Sequence, residues 1–203
     1  MAGKQYTYLA LGDSYTIGES VSAKENFPNQ TVQILTKAGY DFHEPEIIAK
    51  TGWTTDELLE AINNHKFLPC YDFVTLLIGV NNQYRGRSIE NYKPEFESLL
   101  KQVIQFAGGK TDHVIVLSIP DWGATLFAEG RNRNQISMEI DAYNTANKMI
   151  AEKYKVHYID ITPGTKGAAN DSTLLAADGL HPSGKEYKCW ADKVSTVISS
   201  ILQ

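Results

Sequence analysis

Residue types that cooperate in nucleophilic catalysis occur at two distant places in this 203-residue chain. Ser14 stands in LGDSYTIGES directly after an apolar run, while Asp178 and His181 share the segment DGLHPSG. This spacing lets the Asp178 carboxylate accept a hydrogen bond from Nδ1 of His181, which leaves Nε2 free to take a proton from a serine. Each segment alone is also typical of a turn. Together they predict a serine nucleophile, a histidine base and an orienting aspartate.

A serine that attacks a carbonyl group also needs hydrogen-bond donors for the negative charge that develops on the carbonyl oxygen. Such donors are available in the segments that follow apolar runs. They are the backbone N–H of Ser14, the backbone N–H of Gly52 in KTGWTT and the side-chain amide of Asn81 in IGVNN. We therefore expect Ser14, Gly52 and Asn81 to form an oxyanion hole.

Large aromatic side chains lie close to these segments in the sequence. Trp53 directly follows Gly52, and Tyr84, Trp122 and Phe127 fall in the two longest loops that we expect near the site. These residues are candidates for the wall of a substrate pocket. The alternative is that they pack against a helix or cover the edge of the core. The sequence leaves both interpretations open.

The segment GATLFAEGRNRNQ is polar, contains glycine and carries Arg131 and Arg133 in alternation with asparagine. Its composition is most typical of a solvated loop. A second interpretation is a mobile lid over the site, whose arginines contact an anionic group of the substrate.

Short apolar runs alternate with amphipathic stretches along the whole chain, which is the pattern of strands followed by helices. The predicted strands cover residues 6–11, 46–50, 73–78, 113–119 and 156–160. The predicted helices cover residues 27–38, 55–64, 92–106, 136–154 and 183–202. This order predicts a five-stranded parallel sheet between two layers of helices, a three-layer α/β/α fold. Ligands bind such sheets beyond the carboxyl ends of the strands, where the segments described above should meet.

Length and composition are those of an ordinary globular protein, and we expect one domain over residues 1–203. The net charge of -5 and the scattered basic residues disfavour a nucleic-acid partner. No apolar run approaches the roughly 18 residues of a membrane-spanning helix, so we expect no membrane partner. The amino-terminal residues lack the pattern of a signal peptide, which favours a cytoplasmic location. Composition leaves the oligomeric state open.

The sequence contains no cluster of ligand-type residues at metal-binding spacing and no glycine-rich phosphate cradle, so we expect neither a metal nor a cofactor. The two cysteines, Cys70 and Cys189, lie far apart and next to aromatic residues. We expect them to be two buried thiols, in preference to a disulfide.

Taken together, the motifs resemble those of the GDSL, or SGNH, hydrolase family. Its four sequence blocks have counterparts here in the same order: GDS with Ser14, the glycine Gly52 after the second strand, the G-x-N core Gly79–Asn81, and D-x-x-H as Asp178–His181. The resemblance extends across nearly the whole chain. Each block alone is weak, whereas four blocks in order are specific.

The resemblance implies a flavodoxin-like sheet and a set of roles. Ser14 would be the nucleophile, His181 the base and Asp178 its orienting acid, while Gly52 and Asn81 would donate to the oxyanion. The implied substrate is a small molecule: a short-chain ester, a thioester, a lysophospholipid or an acetylated sugar. Two other interpretations are an acyltransferase that uses the same acyl-enzyme and a non-catalytic flavodoxin-like module that binds a carbohydrate or another small molecule.

One position departs from the family pattern. The third block usually reads G-x-N-D, whereas this chain reads GVNN and places Asn82 where the aspartate is expected. In the family that aspartate is a structural neighbour of the site and not a member of the triad. The departure therefore concerns the geometry of the loop more than the chemistry of the reaction.

Overall fold

The computed structural model describes residues 4–203, and its centre is one parallel sheet with the strand order β2-β1-β3-β4-β5. The strands are β1 (Tyr8–Asp13), β2 (Glu46–Lys50), β3 (Phe73–Leu77), β4 (Val114–Leu117) and β5 (His157–Ile159). This is the strand order of flavodoxin-like folds, in which a ligand crevice opens beside the first strand, where the direction of winding changes. The predicted fold class is confirmed.

Helices cover the sheet. They are α1 (Ser14–Ile17), α2 (Phe27–Lys37), α3 (Thr55–Asn63), α4 (Val80–Tyr84), α5 (Ile89–Phe106), α6 (Arg133–Lys153), α7 (Thr162–Lys166) and α8 (Gly184–Leu202). Helix α2 packs against α8, while α5 packs against both α3 and α6. These two groups form the outer layers of the α/β/α arrangement. None of the helices described between residues 4 and 203 combines the length and apolarity that a membrane span requires.

The central strands are completely buried because helices cover both faces of the sheet. All residues of β1 and β3 are buried, and the buried hydrophobic side chains form one continuous cluster around the sheet. Burial on both faces explains why these strands read as apolar runs and not as alternating patterns. The predicted first strand ended at residue 11, but pairing with β2 continues to Asp13 opposite Lys50. Ser14 therefore begins a helix at the carboxyl end of β1, an interior strand of the sheet.

Two helices begin three residues earlier than their apolar periodicity predicts. The Ser88 hydroxyl accepts a hydrogen bond from the backbone N–H of Asn91 at 3.3 Å, and the Asn132 side chain accepts one from Gln135 at 3.1 Å. These caps satisfy backbone donors that the first turn of a helix leaves free. The first turns of α5 and α6 are polar, so a prediction based on apolar spacing starts too late.

The prediction of two buried thiols is wrong in one respect. Cys70 and Cys189 are free, as expected, but both are exposed. In α8, Trp190 takes the buried position and is 1% exposed, so the preceding residue Cys189 faces solvent. Trp190, Val194 and Ile198 recur every four residues along the buried face of α8, and Cys189 lies outside that face.

The end of β1 leaves no room for a side chain at Gly12. A Cβ atom at this position would overlap with Oγ1 of Thr16 in α1 and with the backbone carbonyl oxygen of Leu77 in β3. The close approach of α1 to the strand ends therefore depends on this glycine.

Gly12→Ala should lower the free energy of unfolding by about 1–3 kcal/mol, because backbone atoms must move to admit the methyl group. Gly167→Ala is a suitable control, since its Cβ would meet only the flexible end of Leu174, at 3.2 Å. Urea unfolding followed by circular dichroism measures both variants. An unfolding midpoint for Gly12→Ala equal to that of the wild type would show that α1 does not need this contact.

Candidate active site

Ser14 is held at the carboxyl end of β1 by a short turn of helix. The preceding residue Asp13 has extended backbone and caps α1, because its Oδ1 accepts a hydrogen bond from the backbone N–H of Tyr15 at 3.0 Å. Gly18 ends the helix in a left-handed conformation, φ 79°. Asp13 thus acts as a helix cap, and the Ser14 side chain projects from the junction between β1 and α1.

The structure brings the three predicted triad residues together. His181 Nε2 lies 2.9 Å from Oγ of Ser14, and His181 Nδ1 lies 2.6 Å from Oδ2 of Asp178. Both distances are those of hydrogen bonds. The Tyr15 ring packs beside the imidazole with the ring centroids 4.9 Å apart. A serine hydroxyl, an imidazole and a carboxylate in this order can pass a proton from the hydroxyl to the imidazole.

Asp178 is fixed by more hydrogen bonds than the motif predicts. Its Oδ1 accepts from the backbone N–H groups of Leu180 and His181 at 2.9 and 3.0 Å, and its Oδ2 also accepts from the Ser20 hydroxyl at 2.7 Å. Partial burial opposes ionisation, but the bonds from His181, Leu180 and Ser20 outweigh it and lower the pKa of Asp178 to about 2. The carboxylate is therefore ionised at neutral pH. Ser20 escaped prediction because only the fold brings it to Asp178.

The predicted oxyanion donors line one cavity together with His181. Ser14, Gly52 and Asn81 all belong to its wall. Ser14 is the first residue of α1, so its backbone N–H has no acceptor within the helix. Gly52 has left-handed backbone, φ 85°, and its carbonyl accepts a hydrogen bond from Nη2 of Arg85 at 2.6 Å. The Asn81 amide donates to the carbonyl oxygen of Trp53 at 3.0 Å, which fixes its orientation.

A buried carboxyl group stands behind this amide. Asp13 is 0% exposed, and its Oδ2 lies 3.4 Å from Nδ2 of Asn81. Burial raises the pKa of Asp13 to about 7, although hydrogen bonds from Tyr15 and Asn81 work in the opposite direction. Below that pH the group is mostly neutral. A neutral carboxyl group places no negative charge beside the amide that would face an oxyanion.

Asn82, the residue that departs from the family pattern, points away from the cavity. It is fully buried; its Oδ1 accepts from the backbone N–H of Thr55 at 3.1 Å and its Nδ2 donates to Oγ1 of Thr55 at 2.7 Å. The Thr55 hydroxyl in turn donates to Glu95 in α5. Asn82 thus ties α4 to the start of α3, directly after the loop that carries Gly52. An asparagine suits this place because Glu95 already supplies the carboxylate.

The cavity beside Ser14 has a volume of about 180 Å³ and a mostly apolar wall. Tyr84, Trp122 and Phe127 line it, as the pocket interpretation expects. Trp53 does not line it. The Trp53 side chain is partly buried and packs against the hydrophobic core, so the packing alternative describes this residue. The contribution of Trp53 to the site is its backbone carbonyl group, which accepts the hydrogen bond from Asn81.

The position of Trp122 depends on a residue that the sequence did not single out. Gln83 is buried, and its Oε1 accepts a hydrogen bond from the Trp122 indole N–H at 2.7 Å. Its Nε2 donates to Oε2 of Glu139 at 2.7 Å. Gln83 stands two residues after Asn81 on the same short helix. This proximity to Asn81 was the only signal in the sequence that could have pointed to Gln83. Once Gln83 is buried, both ends of its amide require hydrogen-bond partners, and Trp122 and Glu139 supply them.

Two further observations concern parts of the described chain away from Ser14. A larger and more open cavity of about 740 Å³ lies along α6 and β5, and none of the triad residues lines it. Within residues 4–203, no group of three or more histidine, cysteine, aspartate or glutamate side chains is arranged to hold a metal ion.

Solved structures of similar fold share the architecture over almost their whole length. An acetylxylan esterase from Geobacillus stearothermophilus, Axe2, has a TM-score of 0.75 at 19% identity, covering 95% of this chain and 94% of its own. The psychrotrophic esterase EstA from Pseudoalteromonas sp. has a TM-score of 0.70 at 18% identity, with coverage of 97% and 98%. A lipase/acylhydrolase from Enterococcus faecalis has a TM-score of 0.70 at 21% identity, with 96% of each chain covered. At such identities the likeness shows the fold.

The sequence itself identifies the family. No curated protein sequence matches the chain. The profile of the GDSL-like lipase/acylhydrolase family, however, matches residues 10–189, which include every candidate residue of the cavity beside Ser14. The chain therefore belongs to the GDSL-like lipase/acylhydrolase family and is a carboxylic ester hydrolase.

Proposed function

We propose that this protein hydrolyses short-chain carboxylic esters through an acyl-enzyme on Ser14, with His181 as the general base and Asp178 as its orienting acid. The observation that carries the proposal is the hydrogen-bonded chain from Ser14 Oγ through His181 to Asp178, at 2.9 and 2.6 Å, in which Ser14 and His181 line an apolar cavity. Family membership gives the reaction type, and this geometry supports the roles that we propose for the three groups.

The reaction proceeds in two steps, acylation of Ser14 and hydrolysis of the acyl-serine. Ser14 Oγ attacks the ester carbonyl while its proton passes to Nε2 of His181, and collapse of the tetrahedral intermediate returns that proton to the departing alcohol. Water then attacks the acyl-serine, gives its proton to His181 and releases the carboxylic acid as Ser14 regains the proton. Asp178 accepts the Nδ1–H of His181 throughout, which stabilises the imidazolium that forms in each step.

The oxyanion of each intermediate would lie between Gly52, Asn81 and the backbone N–H of Ser14. These groups sit on three different elements: the loop after β2, α4 and the start of α1. The contacts from Asn82 to Thr55 fix the position of α4 relative to the loop after β2. Donors fixed before substrate binds need no reorganisation during the reaction, which is the source of their effect on rate.

The size and lining of the cavity favour a short acyl chain. Its volume of about 180 Å³ is smaller than the roughly 300–1,000 Å³ of pockets that enclose drug-sized ligands. The aromatic wall suits an acetyl or a similarly small apolar group. One neighbour of the same fold, Axe2, is an acetylxylan esterase, and an acetylated sugar is a natural first member of a substrate screen.

Ser14→Ala and His181→Ala should each lower kcat for p-nitrophenyl acetate by at least about 10⁴-fold, because triad members act as a unit. Ser200→Ala, on the exposed face of α8, is the control and should retain wild-type rates. A fluorophosphonate probe should label the wild type once and Ser14→Ala not at all. A folded wild-type protein without esterase activity or labelling, but with saturable sugar binding, would support a binding module in place of an enzyme.

The neighbouring asparagines should separate catalysis from stability. Asn81→Ala should lower kcat by about 10²–10³-fold, the usual effect of removing one oxyanion donor. Asn82→Ala removes the acceptor of the Thr55 backbone N–H and a donor to the Thr55 hydroxyl, and should lower the free energy of unfolding by about 1–3 kcal/mol. Steady-state kinetics and urea unfolding of both variants test this division. Equal kcat for Asn81→Ala and the wild type would remove Asn81 from the proposed oxyanion hole.

A further inference from the structure

Three aromatic rings form a cluster on the wall of the cavity beside Ser14. The Tyr84 and Trp122 ring centroids are 5.3 Å apart, and the Phe127 centroid lies 6.3 and 6.0 Å from them, respectively. Trp122 is buried, whereas Tyr84 is 48% exposed and Phe127 is 41% exposed. The cluster therefore reaches from the inner wall of the cavity to the surface.

The guanidinium group of Arg131 lies over all three rings. Its Cζ is 5.5 Å from the Tyr84 centroid, 5.4 Å from that of Trp122 and 5.1 Å from that of Phe127. Contacts with ring faces hold a guanidinium in place without using its N–H donors. Its one side-chain hydrogen bond goes to the Tyr84 hydroxyl at the long distance of 3.5 Å.

Other arginines nearby have stronger partners. Arg85 and Arg87 pair with Glu57 and Asp56 at 3.1 and 2.6 Å, and Arg133 donates to the carbonyl of Gly123 at 3.3 Å. Among residues 4–203, no carboxylate lies within ion-pair distance of Arg131. A charged group that is positioned by three rings but lacks a counter-ion is suited to bind one.

We propose that Arg131 and the ring cluster form an anion-recognition subsite, and that the preferred ester carries a carboxylate or another oxyanionic group beyond its scissile bond. This inference rests on the proposed function, since it concerns the substrate of the same cavity. The ester group would lie at Ser14 and the body of the substrate against Trp122. The anionic group would reach the exposed rim, where the N–H donors of Arg131 receive it.

The position of Arg131 disfavours a cationic substrate group at the same rings. Three converging aromatic faces do attract cations, but here the protein supplies the cation itself. A second positive charge at the rim would meet the guanidinium as a like charge, which is unfavourable. An anionic group meets both a positive charge and directed hydrogen-bond donors.

Matched aryl esters test the subsite. The substrates are phenyl acetate, which is neutral, 4-acetoxybenzoate, which has a carboxylate on the alcohol part, and monophenyl succinate, which has one on the acyl part. The enzyme variants are the wild type, Arg131→Gln, Arg131→Lys and the control Arg133→Gln. The quantity compared is kcat/KM for each anionic ester divided by kcat/KM for phenyl acetate, because intrinsic ester reactivity cancels between variants.

Arg131→Gln should lower this ratio by about two- to fivefold for at least one anionic ester, as expected for one solvent-accessible charge contact. Arg131→Lys should fall between the wild type and Arg131→Gln, since it keeps the charge and loses the planar fork. Arg133→Gln should leave the ratio unchanged. The ester that responds shows which side of the scissile bond faces Arg131. Added salt should weaken the wild-type preference and have less effect on Arg131→Gln.

The proposal is overturned if both ratios are the same in Arg131→Gln and the wild type. It is also overturned if the wild type prefers an ester with a trimethylammonium group and Arg131→Gln keeps that preference, because the rings would then serve a cation. If either result is obtained and Ser14→Ala still abolishes hydrolysis, the subsite is refuted and the proposed function is not. Hydrolysis of every ester at wild-type rates by Ser14→Ala would instead refute the proposed function.

Discussion

The hydrogen bond between His181 Nε2 and Ser14 Oγ joins residues that are 167 positions apart in the sequence. It exists because β1 occupies a central position in the sheet and the last loop before α8 returns to the carboxyl end of that strand. The other features of the cavity depend on the same meeting point. Asp178 orients the imidazole from within its own loop, and the oxyanion candidates approach from the neighbouring elements after β2 and β3.

The rigidity of this arrangement comes from polar contacts that are not themselves part of the proposed chemistry. Asp13 caps α1, Asn82 holds the start of α3, Ser20 supports Asp178 and Gln83 orients Trp122. The contacts of Asp13, Asn82 and Gln83 satisfy buried polar groups that would otherwise destabilise the folded state, whereas the bond from Ser20 to Asp178 lies at the exposed edge of the site. These residues stabilise the fold and fix the positions of the reactive groups through the same hydrogen bonds.

Much of this could be predicted from the sequence, since strands buried on both faces read as apolar runs and the D-x-x-H spacing suits one loop. The sheet, its helices and the meeting of Ser14, Asp178 and His181 followed from such local signals. The orientation of Trp53, the exposure of Cys189 and the supporting contact of Ser20 could not be predicted. Each depends on which neighbour occupies the buried side after the chain has folded, a property that no local pattern contains.

The effect of Asn82 in place of aspartate shows the same limit. Sequence comparison identifies the departure but not the compensating group, because Glu95 lies on another helix and reaches Thr55 only in the folded protein. The Thr55 hydroxyl donates to Glu95 and therefore accepts a hydrogen bond from the Asn82 amide, which an ionised aspartate could not donate. The loop that carries Gly52 thus keeps its attachment to α4.

A crystal structure of the enzyme after reaction with an alkyl phosphonate would test the central assignment most directly. If the assignment is right, phosphorus is bonded to Ser14 Oγ and a phosphoryl oxygen lies about 2.7–3.1 Å from the backbone N–H groups of Ser14 and Gly52 and from Nδ2 of Asn81. His181 should remain between the adduct and Asp178. Phosphorus on another residue, or a phosphoryl oxygen directed into solvent away from Gly52 and Asn81, would contradict it.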